Sequence, residues 1–135
     1  MKNILFLCTH NSCRSQMAEA LLRDMAGDEF EVMSAGTEAT HVHPTAIEVL
    51  KEKEIDTSVL RSKSAEEFLD EEIDIVVTVC DNAKEACPYF PGAKKYLHKS
   101  FPDPPDLVSG GMEDIAAFRK VRDMIFDWLK NDFSV

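Results

Sequence analysis

The alternation of apolar and polar positions divides the 135-residue chain into short apolar runs and longer stretches with helical spacing. Residues 3–7 are the first such run: Ile4-Leu5-Phe6-Leu7 is uninterrupted and turn-forming residues follow, which predicts a buried strand. From Ser15 to about Ala26, Met17, Ala20, Leu21 and Met25 recur on one helix face, and Gly27 is a natural stop. Phe30-Glu31-Val32-Met33 alternates as a second strand that closes at Ser34-Ala35-Gly36. His43-Pro44 opens a helix whose inward face is Ala46, Ile47, Val49 and Leu50, with the proline near its first turn. Ser64-Ala65-Glu66-Glu67 has the form of a capping box ahead of Phe68 and Leu69.

The second half continues the pattern. Ile73-Asp74-Ile75-Val76-Val77-Thr78-Val79 is the most β-branched stretch of the chain and predicts a central buried strand. A loop carrying Cys80 and Cys87 follows, then a weaker strand at about 94–98. Phe101-Pro102-Asp103-Pro104-Pro105-Asp106 is expected to be irregular, because three prolines lack amide donors. The last helix runs from about Met112 to Asp132, with Ile115, Phe118, Val121, Ile125, Trp128 and Leu129 on one stripe.

Strands alternating with helices imply an α/β fold: a four-stranded parallel sheet with helices on both faces, in one three-layer domain spanning residues 1–135. Ligands of such sheets bind beyond the carboxyl ends of the strands. Cys8 follows the first strand and Cys80 follows the strand from Ile73, so both belong to the same edge.

Charge narrows the partners. The net charge of −10 disfavours nonspecific binding to nucleic acid or an anionic membrane, which relies on Lys and Arg neutralising phosphates. An anionic substrate would have to be drawn to a local positive site. No apolar run approaches the roughly 20 residues of a membrane span, and the stretch after Met1 is too short for a signal peptide. The expectation is a cytoplasmic monomer. Thiols stay reduced in that compartment, so the four cysteines point to metal binding or redox catalysis rather than to structural disulfides.

Cys8 and Arg14 bracket Thr9, His10, Asn11, Ser12 and Cys13 between a strand and a helix, with Ser15 directly after. A loop in that place offers backbone N–H groups to a tetrahedral oxyanion, and Arg14 adds a planar fork able to bind two oxygens. The same surroundings stabilise a thiolate, so the Cys8 pKa is expected to be depressed, with the Ser15 hydroxyl placed to donate to the sulfur. Cys13 reads as a small buried residue inside the loop.

Cys80 and Cys87 are separated by Asp81-Asn82-Ala83-Lys84-Glu85-Ala86. If that segment is helical, they stand roughly 10 Å apart along its axis, beyond the reach of a disulfide, and bonding them requires the segment to kink or melt. A four-cysteine zinc site fits poorly, because the spacings are wide and Arg14 would face a cation. His41 and His43 read as ordinary exposed loop residues. Asp103, between two prolines, sits on a rigid turn suited to a general acid, although a solvated turn aspartate accounts for it equally well on composition. Asp106 competes more weakly for that role.

Cys8-Thr9-His10-Asn11-Ser12-Cys13-Arg14-Ser15-Gln16-Met17-Ala18-Glu19-Ala20 resembles the signature of the thioredoxin-coupled arsenate reductases, which share the low-molecular-weight tyrosine phosphatase fold. The similarity runs on through Ser34-Ala35-Gly36, Val77-Thr78-Val79-Cys80, Cys87-Pro88, Asp103-Pro104 and Phe118-Arg119-Lys120-Val121-Arg122-Asp123. The resemblance implies a three-cysteine relay: Cys8 attacks arsenate held by the loop and Arg14, and Asp103 protonates the departing oxygen. Cys80 then releases arsenite, and Cys87 takes over the disulfide and presents it to thioredoxin. It implies no cofactor.

Two departures stand out. Family members often carry glycine where His10 stands, so a positive φ there would leave the loop strained. Arg61 and Lys63 lie where some relatives line a cation site, and a lysine ammonium in that place implies no metal. Two rivals remain: a tyrosine phosphatase needing only Cys8, Arg14 and Asp103, and a non-enzymatic thiol redox or arsenic sensor. The first leaves Cys80 and Cys87 surplus, and the second leaves Arg14 without a purpose. As electron donor, glutaredoxin with a small thiol stands beside thioredoxin.

Overall fold

The computed structural model describes residues 1–133. Strands β1 (Lys2–Cys8), β2 (Phe30–Gly36), β3 (Ile73–Thr78) and β4 (Ala93–His98) form one parallel sheet in the order β2-β1-β3-β4. Helices α1 (Arg14–Ala26), α2 (Pro44–Lys51), α3 (Asp81–Ala86), α4 (Pro104–Ser109) and α5 (Asp114–Asp132) flank it, with a single 3-10 turn at Ala65–Phe68. Ile4, Leu5, Phe6 and Leu7 are all fully buried although they point alternately to opposite sides, so both faces of β1 are covered. Chain order reverses between β1 and β3, and the carboxyl ends of these two strands carry Cys8 and, two residues beyond Thr78, Cys80.

The expected four-stranded parallel architecture is present, and three local expectations need correction. The proline-rich segment is not wholly irregular: Pro104 and Pro105 are the first two residues of α4. Amides at those positions have no intrahelical partner in any helix, so two prolines there remove nothing. The segment after Cys80 is a helix, α3, capped by the Cys80 sulfur accepting from Ala83 N. The capping box is half made: Ser64 Oγ accepts from Glu66 N, while Glu67 turns instead to Arg61.

Candidate active site

The loop after β1 is shaped from outside. Gly36 pairs with Cys8, and a Cβ on it would stand 2.7 Å from Thr9 O and 2.8 Å from Asn11 N, so only glycine lets β2 pass this close. The loop carbonyls are held outward by the segment beyond Gly36: Thr37 N donates to Cys8 O, Glu38 N to Thr9 O, Thr40 N to His10 O and His43 N to Ser12 O. Gln16 Nε2 takes Asn11 O and Met17 N takes Cys13 O. Among the described residues, the amides of residues 9–14 donate to no protein acceptor. Six such donors at the start of α1 form an anion-binding nest.

The left-handed turn of the loop falls on Asn11 (φ 49°), not on His10, so the expected strain at the histidine does not arise. Asparagine tolerates this region well. Its buried side chain is saturated: Nδ2 donates to Ser15 Oγ (2.7 Å) and Ser34 Oγ (2.9 Å), and Oδ1 accepts from Gln16 Nε2 and Lys63 N.

Cys8 Sγ lies 2.8 Å from Ser15 Oγ. Because that oxygen already accepts from Asn11, the hydroxyl proton is free to point at the sulfur. The expected depression of the Cys8 pKa is not met. Burial pushes the thiol up, and this outweighs the pull of the Ser15 hydrogen bonds and the Arg14 charge. Cys13 is pushed up to about 12, again chiefly by burial, as suits an inert packing residue. Arg14 donates to Phe101 O (3.1 Å) and faces Asp103 at 3.6 Å, which leaves its buried Nε without a protein partner.

Cys8, Cys13, Arg14 and Asp103 line one cleft of about 320 Å³. Asp103 enters it from the position just before α4, whereas Asp106 is exposed in the first turn of that helix and does not line the cleft. The rest of the rim is His10, Ser12, Thr40, His41, His43 and Pro105. The two histidines dismissed from the sequence therefore belong to the site. His43 Nδ1 accepts from Thr45 N, so its proton sits on Nε2, and its ring rests against Phe118. The one available signal was its place before Pro44, where a residue caps a helix.

The second thiol pair stands beside this cleft. Cys80 is buried, with its sulfur 3.6 Å from Thr9 Oγ1 and close enough to Cys8 to oppose that thiol's ionisation. Cys87, just past α3, is half-buried, and its thiol donates to Pro88 O. All four cysteines are free thiols. Beneath the loop, the buried Lys63 ammonium donates to Arg61 O (2.7 Å) and pairs with Glu19 at 3.4 Å, while Arg23 holds the other Glu19 oxygen at 2.8 Å. Arg61 itself points outward to Glu67. Among the described residues no group of three or more His, Cys, Asp or Glu is arranged to hold a metal ion.

A thiol, a nest of unspent amides and an arginine around one point match a known model: the low molecular weight phosphotyrosine protein phosphatase family, over residues 3–131. The chain belongs to that family. It is 45% identical to an arsenate reductase of Halalkalibacterium halodurans over 92% of this chain and 89% of the relative. A solved arsenate reductase in the phosphate binding state superimposes with a TM-score of 0.83 at 31% identity, covering 99% of this chain and 98% of that one. A thioredoxin-dependent arsenate reductase of Corynebacterium glutamicum gives 0.68 at 29% identity, covering all of this chain and 64% of the other. The fold and family expected from the sequence are both met. Among the described residues, no helix of the family member is long and apolar enough to cross a membrane.

Proposed function

We propose that the protein reduces arsenate to arsenite by a relay of three thiols recharged by thioredoxin. The observation that carries this reading is Cys80: a second buried thiol at the same sheet edge as Cys8, in contact with the oxyanion loop through Thr9. Phosphate-ester hydrolysis has no use for it. The relatives described as arsenate reductases, one of them thioredoxin-dependent, support the same reading.

In the proposed sequence the amides of residues 9–14 and Arg14 hold arsenate, and the Cys8 thiolate attacks arsenic while Ser15 steadies the sulfur. One oxygen leaves as water with a proton from Asp103, which lies next to Arg14 on the cleft wall. The Cys80 thiolate attacks Cys8 Sγ. The sulfur–arsenic bond breaks and its electron pair stays on arsenic, which departs as arsenite and leaves a Cys8–Cys80 disulfide. Cys87 attacks Cys80 Sγ and releases Cys8 as a thiolate. The dithiol of thioredoxin then reduces the Cys80–Cys87 bond, returning the two electrons that arsenic received. Lys63, with Arg23, supplies the positive charge of the polar cluster beneath the loop, and the cytoplasm keeps the thiols reduced.

The decisive assay couples NADPH oxidation to arsenate through thioredoxin and thioredoxin reductase. Turnover is expected to vanish in Cys8→Ser, Cys80→Ser and Cys87→Ser alike. Full multiple turnover by either distal variant would sink the relay. Efficient phosphotyrosine hydrolysis surviving loss of both distal thiols would mark a phosphatase instead.

A further inference from the structure

For Cys87 to reach Cys80, α3 must open. The two residues are seven positions apart across a formed helix, roughly 10 Å by its rise, while a disulfide needs Cα atoms within about 7 Å. Opening breaks a contact that the relay does not use. His98, the last residue of β4, is paired in register with Thr78 at the end of β3. Its ring bridges the sheet to the helix: Nδ1 meets Thr78 Oγ1 at 2.7 Å, and Nε2 meets Asp81 Oδ1 at 3.0 Å. A carboxylate only accepts, so Nε2 carries the proton. The Thr78 hydroxyl also donates to Leu97 O at 3.4 Å.

Asp81 is the first residue of α3, and the next, Asn82, donates to Thr9 Oγ1 at 2.9 Å. Ala83 seats in the core. The N-terminal turn is thus fastened to the strand ends and to the oxyanion loop. The other end is held less: among the described residues Lys84, Glu85 and Ala86 are exposed and make no side-chain hydrogen bond, and Cys87, half-buried against the core, donates its thiol to Pro88 O.

Building on the proposed relay, we infer that His98 and Asp81 are a positioning pair that pins α3 in its closed, helical form and lets go when the helix opens, so that the Cys80–Cys87 disulfide is made easier to reduce. A contact present with the dithiol and lost with the disulfide favours the dithiol, and so favours electron transfer from thioredoxin. In that exchange the two thioredoxin thiols are oxidised to a disulfide and Cys80–Cys87 is reduced to two thiols.

The test is the thiol–disulfide equilibrium of the full chain with the thioredoxin couple, read by alkylation and mass spectrometry. It compares the unmodified protein with Asp81→Ala, His98→Leu and the double variant. For a pair at the surface each single change is expected to move the equilibrium about three- to fivefold toward the disulfide, about 15–20 mV for a two-electron couple. The double variant is expected to move it no further than either single. An unshifted Asp81→Ala, which alters an exposed side chain and leaves folding out of question, overturns the inference whether or not His98→Leu folds. Additive effects overturn it too, since Asp81 would then act through its charge in the first helical turn rather than through His98. If the unmodified protein forms no Cys80–Cys87 bond at all, the relay itself fails and the pin with it. A bond that forms but ignores both substitutions refutes the pin alone.

Discussion

Replacing Ser15 by alanine tests how the site activates a buried thiol. Ser15 Oγ is 2.8 Å from Cys8 Sγ and accepts from Asn11, an arrangement that commits its proton to the sulfur. A hydrogen bond to a charged group contributes about 1.5–3 kcal/mol, and 1.36 kcal/mol corresponds to one pKa unit, so Ser15→Ala is expected to raise the Cys8 pKa by roughly 1–2 units. Below the pKa the thiolate fraction falls tenfold per unit. Each remaining thiolate is more nucleophilic, with a Brønsted slope of about 0.4–0.5, so attack slows by only about threefold to sixteenfold. The pH profile of Cys8 alkylation by iodoacetamide reads both quantities in a background with Cys80 and Cys87 replaced by serine. Cys13 stays silent there, being buried and pushed up to about 12. The loop survives the change, since Asn11 keeps Ser34, Gln16 and Lys63. A midpoint that stays put or falls would show that the hydroxyl does not donate to the thiolate.

Gly36→Ala drives a Cβ into three backbone atoms, Thr9 O, Asn11 N and His10 C, none of which can swing aside. Overpacking of this kind costs about 1–3 kcal/mol, and phosphate binding measured by calorimetry is expected to weaken about tenfold with the fold retained; unchanged affinity refutes the close-approach account. Lys63→Ala leaves the buried Glu19 with Arg23 as its one charged partner beside the Ser34 hydroxyl, and a loss of about 3 kcal/mol in urea unfolding is expected. A loss near zero would mean that the ammonium adds nothing to the cluster. Cys13 sits at about 12 against an ordinary 9.0, so the folded state holds its proton more tightly than the unfolded chain. Its contribution is complete below pH 9 and is lost as pH rises through 12. Cys13→Ala is therefore expected to flatten the fall in stability between pH 9 and 11, and parallel curves for the two proteins would count against it.

The sheet was legible because its signals are local. Four consecutive apolar residues in β1 and the β-branched run of β3 stand out without any tertiary knowledge, and the loop between Cys8 and Arg14 follows from its place after a strand. β4 was fainter because it is an edge strand with Lys94, Lys95 and Tyr96 exposed. The prolines of α4 misled because a missing donor matters only where a donor is used, and the first helical turn uses none. Helix α3 left no periodicity to read: six residues with one buried side chain cannot repeat a face. What holds it comes from far along the chain, from Thr9 and His98.

Burial separates the parts of the site that could be read from those that could not. Chain order correctly named the groups around Cys8 that favour a thiolate, Arg14 and Ser15, and both are in place. It could not weigh them against a sulfur sealed between β1 and the start of α1, where desolvation is the largest effect and reverses the sign. The thiol that the proposed relay uses as its nucleophile is therefore disfavoured as a thiolate by its own burial. The unspent amides of the loop, which a bound oxyanion would engage, and the Ser15 proton, which needs no ligand, act on it separately. Ser15→Ala should then slow Cys8 alkylation to the same degree with and without bound phosphate. A Ser15 effect that disappears when phosphate is bound would mean that the hydroxyl belongs to the oxyanion rather than to the sulfur.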